Sequence, residues 1–318
     1  MKIWTDISNF YAKNPVASMG IFDGVHPGHK YLLQELKDKA KEINGESVVI
    51  TFWPHPRYVL GKDALNLRYL NTLEEKTILL EAENIDHFVV LKFTEKFAQL
   101  SSCEFIREYL INALNIKHLI LGFDHKFGKD QQNNLNLLQD CSSSSSSSSS
   151  SNFSISKSNV FEMDDEKISS SLIRELLLEG ELKKANMYLD YNYFLLGTVV
   201  EGNKLGREIG FPTANIKLQD KNKLLPKIGV YAVQLSCDGK IYPGMLNIGY
   251  RPTVDSGNHL KSIEVHLFDF NQDIYGKRIA LSFRKRMRDE VKFDSLDELK
   301  AQLVKDSENA RKFLEEMN

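Results

Sequence analysis

The chain has 318 residues, 42% hydrophobic and 26% charged, which is ordinary for a globular enzyme and long enough to favour two domains over one. A formal net charge of −2 gives no general attraction to nucleic acid or to an anionic membrane, so we expect small molecules as partners. Three cysteines without a Cys-x-x-Cys spacing, no signal-peptide pattern and no long apolar run indicate a cytoplasmic protein without a disulfide framework.

The first half of the chain alternates apolar, strand-like runs with segments of helical periodicity. This alternation predicts an α/β domain in which helices cover both faces of a parallel sheet. Ligands bind at the carboxyl ends of such strands, where residues 20–29, 51–57 and 122–128 all fall. The predicted strands are residues 15–19, 47–52, 87–91 and 118–123, and the predicted helices start near Leu32 and span residues 73–84 and 101–115.

The composition and the predicted secondary structure change twice in the rest of the chain. A serine run within residues 141–158 cannot bury apolar surface, so this segment is predicted to be a disordered loop. Beyond residue 190, closely spaced strands without intervening helices predict a small antiparallel β-barrel, closed by a helix at residues 295–315. We therefore place the domains at residues 1–188 and 189–318.

Two histidines lie three residues apart where the first strand leads into the first helix. His26 and His29 belong to the segment Gly-Ile-Phe-Asp-Gly-Val-His-Pro-Gly-His at residues 20–29. Its glycines let backbone approach a ligand, and the free N–H groups of a helix start attract phosphate. The segment therefore predicts a site for nucleotide phosphates. A zinc pair or two unrelated surface histidines are the alternatives, and zinc would need further ligands.

This segment resembles the HxGH signature of the nucleotidylyltransferase superfamily, most closely that of the bacterial FAD synthetases. The resemblance implies a Rossmann-like domain in which His26 and His29 bind the ATP phosphates that leave as pyrophosphate. It continues in Thr-Phe-Trp-Pro-His-Pro-Arg at residues 51–57, Gly-Phe-Asp-His-Lys-Phe-Gly-Lys at residues 122–129 and Ile-Ser-Ser-Ser-Leu-Ile-Arg at residues 168–174. It assigns ATP or phosphate contacts to Gly20, Phe22, Asp23, Gly28, Ser171 and Arg174, and flavin contacts to His55 and Asp124.

These shorter motifs also have plain structural interpretations. Residues 51–57 alone would indicate a rigid proline turn, and Ser169 to Ser171 a helix N-cap cluster. One segment departs from the family pattern, because His125 replaces a phenylalanine and the arginine expected shortly afterwards is missing. That departure motivates the alternative of a degenerate or slow adenylyltransferase domain.

The second half carries the string Gly-Asn-Lys-Leu-Gly-Arg-Glu-Ile-Gly-Phe-Pro-Thr-Ala-Asn at residues 202–215. With Asn-Ile-Gly-Tyr-Arg-Pro-Thr at residues 247–253, it resembles the riboflavin kinase family from about residue 190 onward. No P-loop sequence is present, so other residues must bind the phosphates of ATP. The resemblance assigns ATP contacts to Gly206, Arg207, Thr213 and Asn215, and Mg²⁺ binding to the side-chain oxygens of Thr213 and Asn215. Taken alone, the segment reads equally as a glycine-rich hairpin.

Glu264 is the expected general base of the kinase. Strand alternation points Ile263 and Val265 one way and Glu264 the other, which by itself would indicate only a solvated face. The resemblance places the family's catalytic glutamate here. It also assigns riboflavin contacts to Arg288 and Glu290, which otherwise form a surface ion pair.

The resemblance thus implies a bifunctional enzyme that phosphorylates riboflavin to FMN and then adenylylates FMN to FAD. ATP is the co-substrate, Mg²⁺ the cofactor, and pyrophosphate a product. A kinase with a degenerate or slow first domain is the nearer alternative. A non-catalytic flavin-binding regulator is the more distant one, and Glu264, Thr213 and Asn215 argue against it. We expect a monomer or weak homo-oligomer.

Overall fold

A computed structural model describes residues 1–61, 67–123, 128–130, 134–143, 153–161, 168–202, 206, 209–250 and 261–316. The chain divides into two compact units, Met1–Ser169 and Ser170–Asn318. Among the described residues, no helix combines the length and apolar character needed to cross a bilayer.

The first unit is built on a six-stranded sheet whose strand order is β1-β4-β3-β2-β5-β6, with every pairing parallel. The predicted α/β architecture is therefore confirmed. The strands are β1 (Lys2–Trp4), β2 (Val16–Met19), β3 (Ser47–Trp53), β4 (His87–Lys92), β5 (His118–Leu121) and β6 (Ser154–Lys157). The helices are α1 (Pro27–Glu42), α2 (Pro56–Val59), α3 (Leu73–Ala82), a 3₁₀ turn (Phe97–Gln99), α4 (Ser102–Phe105) continuing as a π-helix (Ile106–Ala113), and α5 (Leu135–Ser143).

Both faces of this sheet are apolar, which is why its strands are nearly continuous hydrophobic runs. Val16 and Val49 pack with Leu33 of α1 on one face. Ala17 and Ile106 belong to the core of the opposite face. From the central β2 the chain moves outward through β3 and β4, then returns to β5 on the other side of β2. The carboxyl ends of β2 and β5 therefore flank the switch point, the usual ligand crevice of such sheets.

The serine-rich segment differs from its predicted disorder. Residues 135–143 form α5, and residues 154–157 form β6, which pairs with β5 at the sheet edge. The His118 ring binds the Ser154 hydroxyl through Nδ1 at 2.6 Å and the Ser156 hydroxyl through Nε2 at 2.9 Å. A strand partner supplies the order of residues 154–157, which composition alone does not reveal. Residues 144–152 lie outside the described part of the chain.

The expectation of no disulfide is also wrong for one pair of cysteines. Cys103 on α4 and Cys141 on α5 are joined by a disulfide, with Cα atoms 5.1 Å apart. The remaining cysteine, Cys237, is free and buried. The two partners are 38 residues apart in sequence, and only the packing of their helices brings them together.

The second unit contains a closed antiparallel barrel with strand order β10-β11-β8-β7-β12-β9, as predicted for this half. Leu314 and Ala310 of its last helix pack on Ala232, Met245 and Phe268. The elements are α6 (Ser170–Glu179), α7 (Leu182–Leu189), β7 (Phe194–Val200), β8 (Ala214–Leu218), β9 (Gly229–Cys237), β10 (Lys240–Tyr250), β11 (Lys261–Leu267), β12 (Arg278–Arg288) and α8 (Leu296–Glu315).

The compact unit of the barrel also includes α6 and α7, because both helices are tied to the barrel; the predicted division between residues 188 and 189 stays a prediction. The Lys227 N–H donates to the carbonyl of Leu177 on α6 at 2.9 Å. The Asn186 side chain on α7 donates to the Phe283 carbonyl of β12 at 3.0 Å and accepts from the Tyr193 N–H at 2.8 Å. Hydrogen bonds between residues so far apart in the chain cannot be predicted from the amino-acid composition.

Candidate functional site

The loop between β2 and α1 is held in place by a buried carboxylate. Phe22 adopts a positive φ of 49°, and Gly24 one of 93°. Asp23 accepts the N–H groups of Leu70 at 3.1 Å and Asn71 at 3.0 Å, while Gly24 donates its N–H to the Asn71 side chain at 2.8 Å. Asp23 therefore anchors the loop, and its predicted contact with ATP stays a prediction.

His26 and His29 form a stacked pair at the start of α1. His26 is the N-cap residue, and the two ring centroids lie 3.8 Å apart with 24° between the ring planes. Both Nδ1 atoms are buried and have no hydrogen-bond partner. Leaving such an atom unpaired costs about 1–3 kcal/mol, so both nitrogens are suited to a hydrogen bond with a bound ligand. A Cβ on Gly28 would crowd the His26 ring at 3.3 Å, which explains the glycine.

Burial keeps these imidazoles neutral. Desolvation lowers the pKa of His26 to about 4, against the opposing effect of Asp23. The pKa of His29 falls well below its usual value through burial and then through the charges of His26 and Lys76. A neutral imidazole carries one N–H donor and one acceptor nitrogen, so the stacked rings can meet a ligand without repelling each other.

Lys76 on α3 is a buried cation that the sequence interpretation missed. Its ammonium donates to the Ile21 carbonyl in the histidine loop and lies 5.9 Å from the Trp53 ring centroid. Burial lowers its pKa to about 8, with Asp23 opposing, so it is mostly protonated at neutral pH. Helical spacing could have revealed it, because Lys76 lies four residues before the buried Leu80 on the same face of the helix.

His55 follows the neighbouring strand β3 and caps the short helix α2. Its Nδ1 accepts the Arg57 N–H at 3.1 Å, and its ring lies parallel to Tyr69 with centroids 6.1 Å apart. Tyr69 also contacts Trp53 and Tyr58, at 5.0 and 5.3 Å between centroids. The predicted His55 thus belongs to an aromatic cluster at the same sheet edge, and flat rings suit a planar ligand.

In the barrel, three polar side chains are aligned across three neighbouring strands. Glu264 on β11 lies opposite Asn215 of β8 and Asn247 of β10. The Thr213 hydroxyl donates to Glu264 Oε2 at 3.5 Å, and the Asn247 amide donates to Glu290 Oε1 at 3.3 Å. Strand register therefore aligns Asn215, Glu264 and Asn247, and the two hydrogen bonds add Thr213 and Glu290; Asn247 had no predicted role.

A cavity of about 540 Å³ opens beside Thr213 and is lined in part by Val265, Phe270 and Tyr275. This volume is in the range of small-molecule sites. Two glycines that precede Thr213 in the chain lie very close to neighbouring groups. A Cβ on Gly202 would collide with the Asn215 side chain, and one on Gly206 would collide with the Phe211 carbonyl oxygen. The Phe211 N–H in turn donates to the Gly206 carbonyl at 2.7 Å.

Arg288 is occupied within the protein. Its Nη2 and Nε atoms bind the buried carboxylate of Asp306 on α8 at 2.6 and 3.0 Å, and its Nη1 donates to the Asp289 carbonyl at 2.9 Å. The guanidinium therefore fastens α8 to β12. A flavin contact by Arg288 stays a prediction.

Comparison with known proteins matches both halves of the chain. The FAD synthetase family model covers residues 9–172, and the riboflavin kinase family model covers residues 189–314. A bifunctional riboflavin kinase/FMN adenylyltransferase from Listeria monocytogenes is 37% identical over 98% of this chain and 94% of its own length. The protein of the same description from Haemophilus influenzae is 41% identical over 93% of each chain.

The chain belongs to the bifunctional riboflavin kinase/FMN adenylyltransferase family. A solved structure described as a macrolide-efflux protein from Streptococcus pneumoniae has the same fold over 97% of this chain and 98% of its own, with a TM-score of 0.83 and 33% identity. The stacked histidines thus lie in the part of the chain that matches the FAD synthetase family. Glu264 and its strand neighbours Asn215 and Asn247 lie in the part that matches the riboflavin kinase family.

The remaining predicted residues of the family motifs are placed less directly. Ser171 and Arg174 lie on α6, in the second compact unit, although the FAD synthetase match extends to residue 172. Asp124 and Arg207 lie outside the described residues. The zinc alternative gains no support, because the described part of the chain contains no group of three or more His, Cys, Asp or Glu side chains suited to a metal ion.

Proposed function

We propose that this chain makes FMN from riboflavin and ATP in the barrel, and FAD from FMN and a second ATP in the α/β unit. The observation that carries the proposal is the tandem family match over two sites that each hold the required chemistry. In the barrel, the Glu264 carboxylate lies beside the hydroxyl of Thr213 and the amide of Asn215. In the α/β unit, His26 and His29 are neutral and have buried nitrogens without a partner.

In the kinase step, the riboflavin 5′-hydroxyl oxygen attacks the γ-phosphorus of ATP and ADP leaves. Glu264 accepts the proton of that hydroxyl. Thr213 and Asn215 supply hard oxygen donors of the kind that suits Mg²⁺, which when bound would neutralise phosphate charge. Gly206 and Arg207 would line the phosphates. Arg288 and Glu290 would lie near the flavin, in which case Arg288 acts mainly by fixing the wall behind it.

In the adenylyltransferase step, an FMN phosphate oxygen attacks the α-phosphorus of ATP and the α–β bridging bond breaks. No covalent enzyme intermediate is required. His26 and His29 donate hydrogen bonds to the phosphates of the departing pyrophosphate, where negative charge grows. Gly20 and Gly28 allow the close approach, and Phe22 and Asp23 shape the loop. Ser171 and Arg174 would add phosphate donors, and His55 and Asp124 flavin contacts.

The test is chromatography of two reactions containing ATP and Mg²⁺. Riboflavin should yield FMN and then FAD, and FMN supplied alone should yield FAD. FMN that is never converted would favour the degenerate first domain. A protein that binds flavin without consuming ATP would be the regulator instead. Sedimentation at several concentrations would test the expected monomer or weak homo-oligomer.

A further inference from the structure

Lys76 is nearly inaccessible, with 1% of its surface exposed, although lysine is among the residues least often buried. Burying an ammonium without compensation is costly, so such a residue normally has a specific task. It lies on α3, outside the segments that the family signatures single out, and the adenylyltransferase mechanism above does not use it.

The contacts of Lys76 join two parts of the site. Its ammonium donates to the Ile21 carbonyl, in the loop that carries the histidines after β2. It also faces the Trp53 ring at the end of β3, at 5.9 Å from the centroid. Lys76 thus holds the loop against the neighbouring strand end, opposite the anchor that Asp23 provides through Leu70 and Asn71.

The charge of Lys76 also reaches the reacting end of the site. Burial is the main cause that lowers the pKa of His29, and His26 on the same helix start and Lys76 from α3 lower it further. Asp23 is the opposing charge for Lys76 and for His26. Removing the lysine would take away a cation that interacts with Asp23 and with His29, whose ring stacks on that of His26 with centroids 3.8 Å apart.

We propose that Lys76 is a positioning residue of the adenylyltransferase site, which fixes the Ile21 carbonyl and acts electrostatically on the His29 ring of the stacked pair. The proposal rests on the proposed conversion of FMN to FAD. A proton on His29 before binding would disturb its stacking on His26, whereas the neutral ring stays aligned to donate to a phosphate oxygen. A lysine that only fills space would anchor α3 without influencing the protonation of His29.

The test follows the His29 imidazole resonances by NMR across pH in the ligand-free protein, in wild type, Lys76→Met and Lys76→Arg. In Lys76→Met the pKa of His29 should rise, because a nearby like charge has been removed. In Lys76→Arg it should stay near the wild-type value. Lys37→Met is the matched control, because Lys37 also donates to a backbone carbonyl, that of Glu83 at 3.1 Å.

FAD formation from FMN should fall about 10- to 100-fold in Lys76→Met, the cost of a slightly misplaced reacting group, mainly in kcat. FMN formation and the Lys37→Met control should be unaffected. An unchanged His29 titration in a folded Lys76→Met protein would overturn the inference. If that variant does not fold, wild type still decides: loss of the Lys76 proton, with its pKa of about 8, should produce a second inflection in the His29 resonance.

The two proposals can fail separately. If wild type makes no FAD, the proposed function fails, while the NMR titration still reports whether Lys76 controls His29. If wild type makes FAD and the titration does not respond to Lys76, only the present inference is wrong.

Discussion

Replacing Glu264 by glutamine should disable FMN formation while leaving the barrel folded. Glutamine has the same shape and keeps a carbonyl oxygen for the Thr213 hydroxyl, which lies 3.5 Å from Glu264 Oε2. The side chain is only partly buried, whereas its neighbours Ile263 and Val265 fill the interior. We therefore expect the free energy of unfolding to change by less than about 0.5 kcal/mol.

The catalytic loss should be much larger than the structural one. A positioned general base contributes about 10²- to 10⁴-fold, and each factor of ten corresponds to about 1.4 kcal/mol, so the barrier should rise by about 2.7–5.5 kcal/mol. Thr213 and Asn215 remain in place to bind the nucleotide. The KM for ATP should therefore change little, and kcat should carry the loss.

The assay measures FMN formed from riboflavin and FAD formed from supplied FMN in one preparation of the variant. Glu308→Gln, the same chemical change at an exposed position of α8, is the matched control. FMN formation within a fewfold of wild type would refute the role of Glu264 as base. Loss of FAD formation from FMN in a folded Glu264→Gln protein would contradict two separate sites.

Three further outcomes follow from the same contacts. His29→Ala should lower FAD formation from FMN by at least about 10²-fold, the usual worth of a donor to developing charge, and spare FMN formation; parallel loss of both in a folded protein would contradict the assignment. Gly206→Ala should raise the kinase KM for ATP about tenfold, because its Cβ collides with the Phe211 carbonyl oxygen and displaces the loop; an unchanged KM would show that the loop does not touch ATP. Reducing the Cys103–Cys141 disulfide, which closes a loop of 38 residues, should lower the free energy of unfolding by up to about 4 kcal/mol. Urea unfolding with and without dithiothreitol measures this, Cys103→Ser should be insensitive to the reductant, and coincident wild-type curves would count against the bond.

Predictions that rest on local pattern agree with the structure where it can be compared. Period-two alternation places Ile263 and Val265 inside the barrel and Glu264 outside, and β11 has this arrangement. The apolar repeat beginning at Leu32 and Leu33 forms the buried face of α1. Such patterns are legible because a strand or helix repeats its orientation every two or 3.6 residues, whatever the rest of the chain does.

Amino-acid composition alone does not predict order that depends on contacts between distant residues. The serine tract carries no periodicity, yet Ser154 and Ser156 acquire order from the histidine of a strand 36 and 38 residues earlier. The first helix of the second unit likewise reads as part of the first half, because its bond from Lys227 to Leu177 spans 50 residues.

By itself, the sequence determined the two-part architecture, the family, and the residue types at both sites, since His26, His29, Thr213, Asn215 and Glu264 all lie in short ordered motifs. Only the tertiary structure decided the stacking and neutrality of the histidines, the burial of Lys76, and the alignment of Glu264 with Asn215 and Asn247. The physical reason is range. Periodicity and motif spacing act over a few residues, whereas desolvation and charge depend on whatever the fold brings within a few ångströms, such as a lysine 55 residues from the carbonyl it binds.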